Sequence, residues 1–208
     1  MRIAIFGATG TVGRQVVEQA LAAGHDVTAL TRSAANVSVA PDQRLRIVEG
    51  DVLDPGAVER TVAGQDAVIV TLGAGRKGVV RAEGTRTVIE AMGRTGVKRL
   101  IVMSSLGVGD SRGNLDFLWK YVLFGVVLRQ AYADHVRQEA YTQAADLDWT
   151  IVRPAAFTDD PATGRYQRDV APDAQGLKLK IARADIAAFL LEQLTDTTYL
   201  RRTPGISN

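Results

Sequence analysis

Cysteine is absent from this 208-residue chain, which excludes disulfides, thiolate metal sites and cysteine nucleophiles together. Histidine is nearly absent: His25 and His135 lie far apart, so no zinc cluster and no other metal site is expected. Neither sign of charge dominates, with 25 Lys and Arg against 23 Asp and Glu. Without a basic block or a basic stripe interleaved with aromatics, nothing marks a nucleic-acid partner. No apolar run reaches the roughly 20 residues that span a bilayer, so no integral membrane segment is expected. The strongest candidate is the stretch from Leu115 to Leu128, which Asp116 and Lys120 interrupt. It reads as pocket lining or a subunit contact, in a monomer or a homodimer, ahead of a membrane-surface role, because an interfacial helix usually carries a strongly charged face. No charged-then-apolar leader precedes the first apolar run, so a cytoplasmic location is expected.

What remains is an ordinary globular composition, 46% hydrophobic and 23% charged, at a length that suits one domain over residues 1–208. Apolar runs alternate with helical patterns. Strands are expected at Arg2–Phe6, Asp26–Thr31, Leu45–Glu49, Ala67–Leu72, Arg99–Ser104 and Trp149–Arg153. Helices are expected at Thr11–Ala23, Pro55–Ala63, Val79–Thr95, within about 115–145, and at Ala184–Leu194. Strands alternating with helices predict an α/β fold, a doubly wound parallel sheet of the Rossmann type. The sheet should be complete with the sixth strand. The less regular stretches at about 106–125 and 155–182 are then left to form the substrate side.

The chemistry concentrates at strand ends. Ile3 to Phe6 feeds into Gly7-x-x-Gly10-x-x-Gly13 and then a helix. A dinucleotide site needs that order: a buried strand, a turn without obstructing side chains, and a helix N-terminus aimed at pyrophosphate. Thr9 and Thr11 add hydroxyl donors. The second strand ends on Thr31-Arg32-Ser33, with no acid to accept ribose hydroxyls and an arginine suited to a 2′-phosphate. NADP(H) is therefore expected over NAD(H). Asp51 and Val52 follow the third strand, where adenine should lie; Asp51 either accepts from the adenine amino group or simply begins a turn. Leu72 and Gly73 end the fourth strand, and Arg76 beyond them reaches phosphate or stays in solvent. Ser104 and Ser105 end the fifth, where a hydroxyl either contacts the nicotinamide or caps the following turn. His135 either does acid work or holds ribose, or is a plain helix histidine.

These residues resemble a known family, the atypical short-chain dehydrogenase/reductases of the NAD(P)H-binding, NmrA-like kind. Within it the chain is similar to the biliverdin-IXβ reductase (NADPH flavin reductase) group. The resemblance rests on the stretches Ile3–Gly10, Gly50–Leu53 and Val62–Val70, and more weakly on Asp134–Arg137 and Thr163–Tyr166. It covers almost the whole length and is densest through residue 73. It implies that Gly7, Thr9, Gly10, Thr11 and Val12 hold the pyrophosphate, with Arg32 on the 2′-phosphate and Asp51 and Val52 at adenine. It places Leu72, Gly73 and Arg76 along the ribose and phosphates, Ser105 at the active-site serine, and Pro154 in the loop against the nicotinamide.

Departures from the family pattern matter as much. Asn36 stands where that group has a second arginine, and Ala156 stands at its loop histidine. The Tyr-x-x-x-Lys pair of wider relatives falls on Ala131 and His135, which removes the usual proton donor. That disfavours alcohol dehydrogenation and sugar epimerisation. It favours an NADPH-dependent reductase of a planar conjugated acceptor, a flavin or a biliverdin-like tetrapyrrole. A non-catalytic NADP(H)-binding sensor or scaffold, or a quinone reductase, is the alternative.

Overall fold

The computed structural model describes residues 1–73, 80–114, 128–172, 174 and 176–208. The apolar stretch 115–127 and Arg76 lie outside these residues. Among the described residues the strands and α-helices run, in chain order, β1 (Arg2–Phe6), α1 (Thr11–Ala22), β2 (Asp26–Thr31), β3 (Leu45–Glu49), α2 (Pro55–Val62), β4 (Ala67–Val70), α3 (Val80–Thr95) and β5 (Arg99–Met103). They continue with α4 (Arg129–Ala144), β6 (Asp148–Pro154), β7 (Ala156–Thr158), β8 (Gln167–Arg168), β9 (Lys180–Ala182), α5 (Arg183–Glu192) and β10 (Gly205–Ser207). The main sheet runs β3-β2-β1-β4-β5-β6-β10-β8, parallel throughout except for the last pair. This is the expected doubly wound arrangement, with the order reversing beside β1.

The central strands β1, β4 and β5 are buried on both faces, as expected of a parallel sheet whose crossovers cover both. Along β1 the side chains alternate: Ile3 and Ile5 join a core with Val16 of α1 and Phe189 of α5. Ala4 and Phe6 join the opposite core with Val58 of α2 and Met92 of α3. Helix α2 begins as its sequence dictates. The Asp54 carboxylate accepts the N–H of Gly56 at 2.9 Å, and Pro55 occupies the first turn, where its missing N–H costs nothing.

The sheet does not end at the sixth strand. Strand β10 pairs beside β6, with Gly205 opposite Arg153 and Ile206 opposite Pro154, and β8 pairs with β10. Strands β7 and β9 form a separate two-stranded sheet. These segments of two or three residues are too short to show periodicity, and their pairing comes from tertiary contact. The region 155–182 is therefore partly ordered into strands, with β7 continuing from β6 after a single residue.

A polar seam sets where α3 and α4 lie. The buried Asp134 of α4 accepts the N–H of Arg81 at 3.0 Å and of Ala82 at 3.1 Å. A carboxylate from one helix thus satisfies the free amides at the start of another, where the helix dipole also favours negative charge. Farther along, the Gln138 amide donates to the Thr85 hydroxyl at 3.0 Å, and Gln138 Oε1 lies 3.2 Å from His135 Nδ1. Glu139 then takes two hydrogen bonds from the buried Arg153 of β6, at 3.0 and 2.7 Å, and Asp110 holds the same guanidinium.

Burial, assisted by the nearby Arg81 charge, pushes the His135 imidazole down to about 3. The folded protein therefore keeps this ring neutral, while the unfolded chain protonates it below the ordinary value of 6.5. The unfolded state binds the extra proton, so stability falls as pH drops from 6.5 towards 3. Urea unfolding of the His135→Gln variant should lack this component. Its pH profile below 6.5 should be shallower than the parent's by up to about 1.4 kcal/mol per pH unit, and equal slopes in the two proteins would refute it. Glu139→Ala should cost about 3 kcal/mol in the same assay, because it strips the carboxylate from a buried guanidinium.

Candidate dinucleotide site

The site is built at the carboxyl ends of β1 to β5. Strand β1 delivers the chain into Gly7, whose φ of +90° few other residues adopt. The turn closes with the Gly10 N–H donating to the Gly7 carbonyl at 2.9 Å, and α1 starts at once. Gly13 is fixed by contact: a Cβ there would lie 2.0 Å from the Gly7 carbonyl oxygen and 2.8 Å from the Thr71 hydroxyl. No side chain larger than hydrogen fits, so α1 packs directly against the turn that it leaves.

The first turn of α1 has no side-chain cap and no acidic residue. Its first N–H groups, with the positive end of the helix dipole behind them, meet no acidic side chain of the helix's own first turn. In front of them lies a cleft of about 610 Å³. Gly7, Thr9, Gly10, Thr11, Val12, Arg32, Asp51, Val52, Leu72 and Gly73 all line it. An uncapped helix start, a glycine cradle and a long cleft running to an arginine fit the pyrophosphate and ribose of a dinucleotide.

Other expected residues stand outside the lining. Ser33 is half-buried, its N–H on the Thr31 hydroxyl at 3.3 Å. Pro154 is buried at the end of β6, and its carbonyl accepts the N–H of Leu106 at 2.9 Å. The Ser104 hydroxyl is buried without a partner. The Ser105 hydroxyl donates to the carbonyl of its neighbour Leu106 at 3.2 Å. Of this strand end, Met103 is the residue that reaches the cleft. His135 sits in the α3–α4 seam as a neutral ring, so the imidazolium acid considered as one of its roles is not available at neutral pH. Asp51 begins a local turn, its carboxylate accepting the N–H of Leu53 at 2.9 Å, and it also lines the cleft.

Several lining residues carry no signal in the sequence as site residues. Phe157 is 39% exposed on β7 and lines the same cleft as Met103. The Arg183 guanidinium lies 5.8 Å from its ring centroid and is paired with Asp159 at 2.6 Å. Asn36, noted only as a missing arginine, lines the same cleft as Arg32. Val80 lines it from the start of α3. Gly84, one turn along α3, makes room for two other walls: a Cβ there would meet Leu72 at 2.8 Å and Val52 at 2.9 Å. Among the described residues no group of His, Cys, Asp and Glu is placed to hold a metal ion, and no helix is long and apolar enough to cross a membrane.

The chain is 30% identical over 207 residues to the UPF0659 protein YMR090W of Saccharomyces cerevisiae, covering 93% of this chain and 87% of that one. Among solved structures it is similar to ChuY, an anaerobillin reductase from Escherichia coli O157:H7, at 28% identity and a TM-score of 0.83 over 100% of this chain and 97% of that one. The oxidoreductase ylbE from Lactococcus lactis shares the fold at 23% identity and a TM-score of 0.84, over 100% and 91% of the two chains. A short-chain dehydrogenase/reductase from Veillonella parvula, solved in complex with NADP, shares it at 19% identity and a TM-score of 0.81, over 100% and 94%. Residues 7–197 match the family described as NAD(P)H-binding, from the first glycine of the turn to beyond α5, and the chain belongs to that family.

Proposed function

We propose that this protein is an NADPH-dependent reductase that passes a hydride to a planar conjugated acceptor such as a flavin, a biliverdin-like tetrapyrrole or a quinone. The observation that carries the reading is the composition of the cleft's far end. There Met103 and Phe157 present apolar surface, while the nearby Ser105 hydroxyl is spent on a backbone carbonyl and His135 is neutral within the seam. A reaction that must protonate an alkoxide needs a positioned acid. A conjugated ring that accepts hydride and spreads the charge needs chiefly orientation and exclusion of water.

Bound in this cleft, reduced nicotinamide supplies the hydride. The chain's own residues do the rest. The uncapped α1 amides with Thr9 and Thr11 take the pyrophosphate, Arg32 and Asn36 take the 2′-phosphate end, and Val52 and Leu72 support the adenosine. Phe157 offers a ring face at the acceptor end, because offset stacking holds flat conjugated partners. The similarity to ChuY, a reductase, supports the same class of chemistry.

Steady-state assays with NADPH and FMN, riboflavin, biliverdin or a quinone test the proposal. Oxidation of NADPH well above background with at least one acceptor is expected. Tight nucleotide binding with no turnover over the panel would point instead to a sensor or scaffold. Phe157→Ala should raise the acceptor KM by about tenfold, the scale of one lost aromatic stack, and leave NADPH binding unchanged. Arg32→Gln should weaken NADPH by about tenfold, as expected for a lost charge-assisted contact to phosphate, and NADH much less.

A further inference from the structure

Reading Arg32 as a phosphate partner treats the end of β2 as free of acid. In sequence it is, but the fold brings an acid to that corner from the neighbouring strand. Strands β2 and β3 run parallel in register, with Thr31 opposite Glu49, so the last residue of one ends beside the last residue of the other. Glu49 Oε1 accepts the N–H of Ala34 at 2.6 Å. Ala34 opens the short helical turn Ala34–Asn36, and the cleft residues Arg32 and Asn36 lie to either side of it. The backbone between is fixed as well, since the Thr31 hydroxyl donates to the Ser33 carbonyl at 3.1 Å. Among the described residues Glu49 forms no ion pair, so its charge is not cancelled by a neighbouring cation.

We propose that Glu49 is a specificity-determining residue of the dinucleotide site. Its carboxylate, delivered by β3, replaces the acid that β2 lacks, and it lowers the preference for a 2′-phosphate so that the chain holds NADH as well as NADPH. The inference rests on the dinucleotide reading of the cleft. In this fold an acid at the ribose corner accepts the hydroxyls of NADH and repels the phosphate of NADPH. Arg32 acts in the opposite sense from the same corner. Arg32 stands on the loop after β2 and Glu49 on the end of β3, joined through the Ala34 N–H, so only a substitution that keeps this acceptor separates charge from support.

The test is direct binding rather than turnover: dissociation constants of NADPH and NADH by titration calorimetry for the parent, Glu49→Gln and Glu49→Ala. The Gln variant keeps a carbonyl oxygen for the Ala34 N–H and removes only the charge. It should bind NADPH about three- to tenfold more tightly, the scale of a like-charge contact in a solvent-exposed corner, with NADH unchanged or weaker. The gap between parent and Gln variant should narrow as salt is raised. If Glu49 only holds the turn, Glu49→Gln will match the parent while Glu49→Ala loosens both nucleotides, and the proposal is overturned. An unchanged NADPH-to-NADH ratio with binding intact overturns it while leaving the cofactor reading standing. A parent that binds neither nucleotide overturns both.

Discussion

The contact on which the site depends is the approach of Gly13 to the Gly7 carbonyl. With the position of a hypothetical Cβ only 2.0 Å from that oxygen, α1 is seated against its own entry turn as closely as a polypeptide allows. That seating fixes the direction of the helix axis relative to β1, and with it the point at which the uncapped amides converge. It also commits one face of the sheet, because α1 carries Val12, Val16 and Ala20 into the core shared with α5. A larger residue at position 13 would have to lift the whole helix. The glycine turn and the core on that face of the sheet would then move together.

The opposite wall is held by polar groups. The Asp134 carboxylate of α4 accepts two amides at the start of α3, and Gly84 lets α3 come close enough for Val52 and Leu72 to rest on it. The cleft therefore sits between a wall fixed by a glycine contact and a wall fixed by a cross-helix carboxylate. Burying Asp134, Glu139 and Arg153 is favourable only because each has partners. Removing one partner strands a charge where water cannot reach it. Such a seam specifies the angle of α4 more than it adds stability, and the His135 ring sits in it beside Gln138.

Much of this was legible in the residues because long parallel strands and their helices carry strong periodic signals. Arg2–Phe6, Asp26–Thr31 and Leu45–Glu49 form where apolar patterning places them, and the glycine spacing locates the turn. Strand ends shift by one or two residues where pairing rather than hydropathy decides. The expected Ala67–Leu72 stops at Val70, freeing Leu72 and Gly73 to face the cleft. The short strands β7 to β10 had no such signal. Phe157 was invisible as a cleft residue because its position depends on β7 pairing with β9, more than twenty residues away in sequence. The serines at the end of β5 show a different limit. Their place on the strand was evident, but which residue of Met103-Ser104-Ser105 turns to the cleft depends on backbone direction after the strand.

The same limit explains why cofactor preference cannot be read from one strand end. A dinucleotide meets the sheet at a corner made by two neighbouring strands, and the rule that looks for an acid after β2 samples only one of them. Parallel registration carries the last residue of β3 to the same level, so the electrostatics of the corner sum contributions from residues about 17 positions apart in the chain. On the proposed reading Arg32 draws phosphate and Glu49 opposes it, each exposed and each worth little alone in water. Their difference, not the identity of either, would then set the preference. Selectivity built on two opposed exposed charges is shallow, and a single substitution on the edge strand can shift it without touching the phosphate turn or the core beneath it.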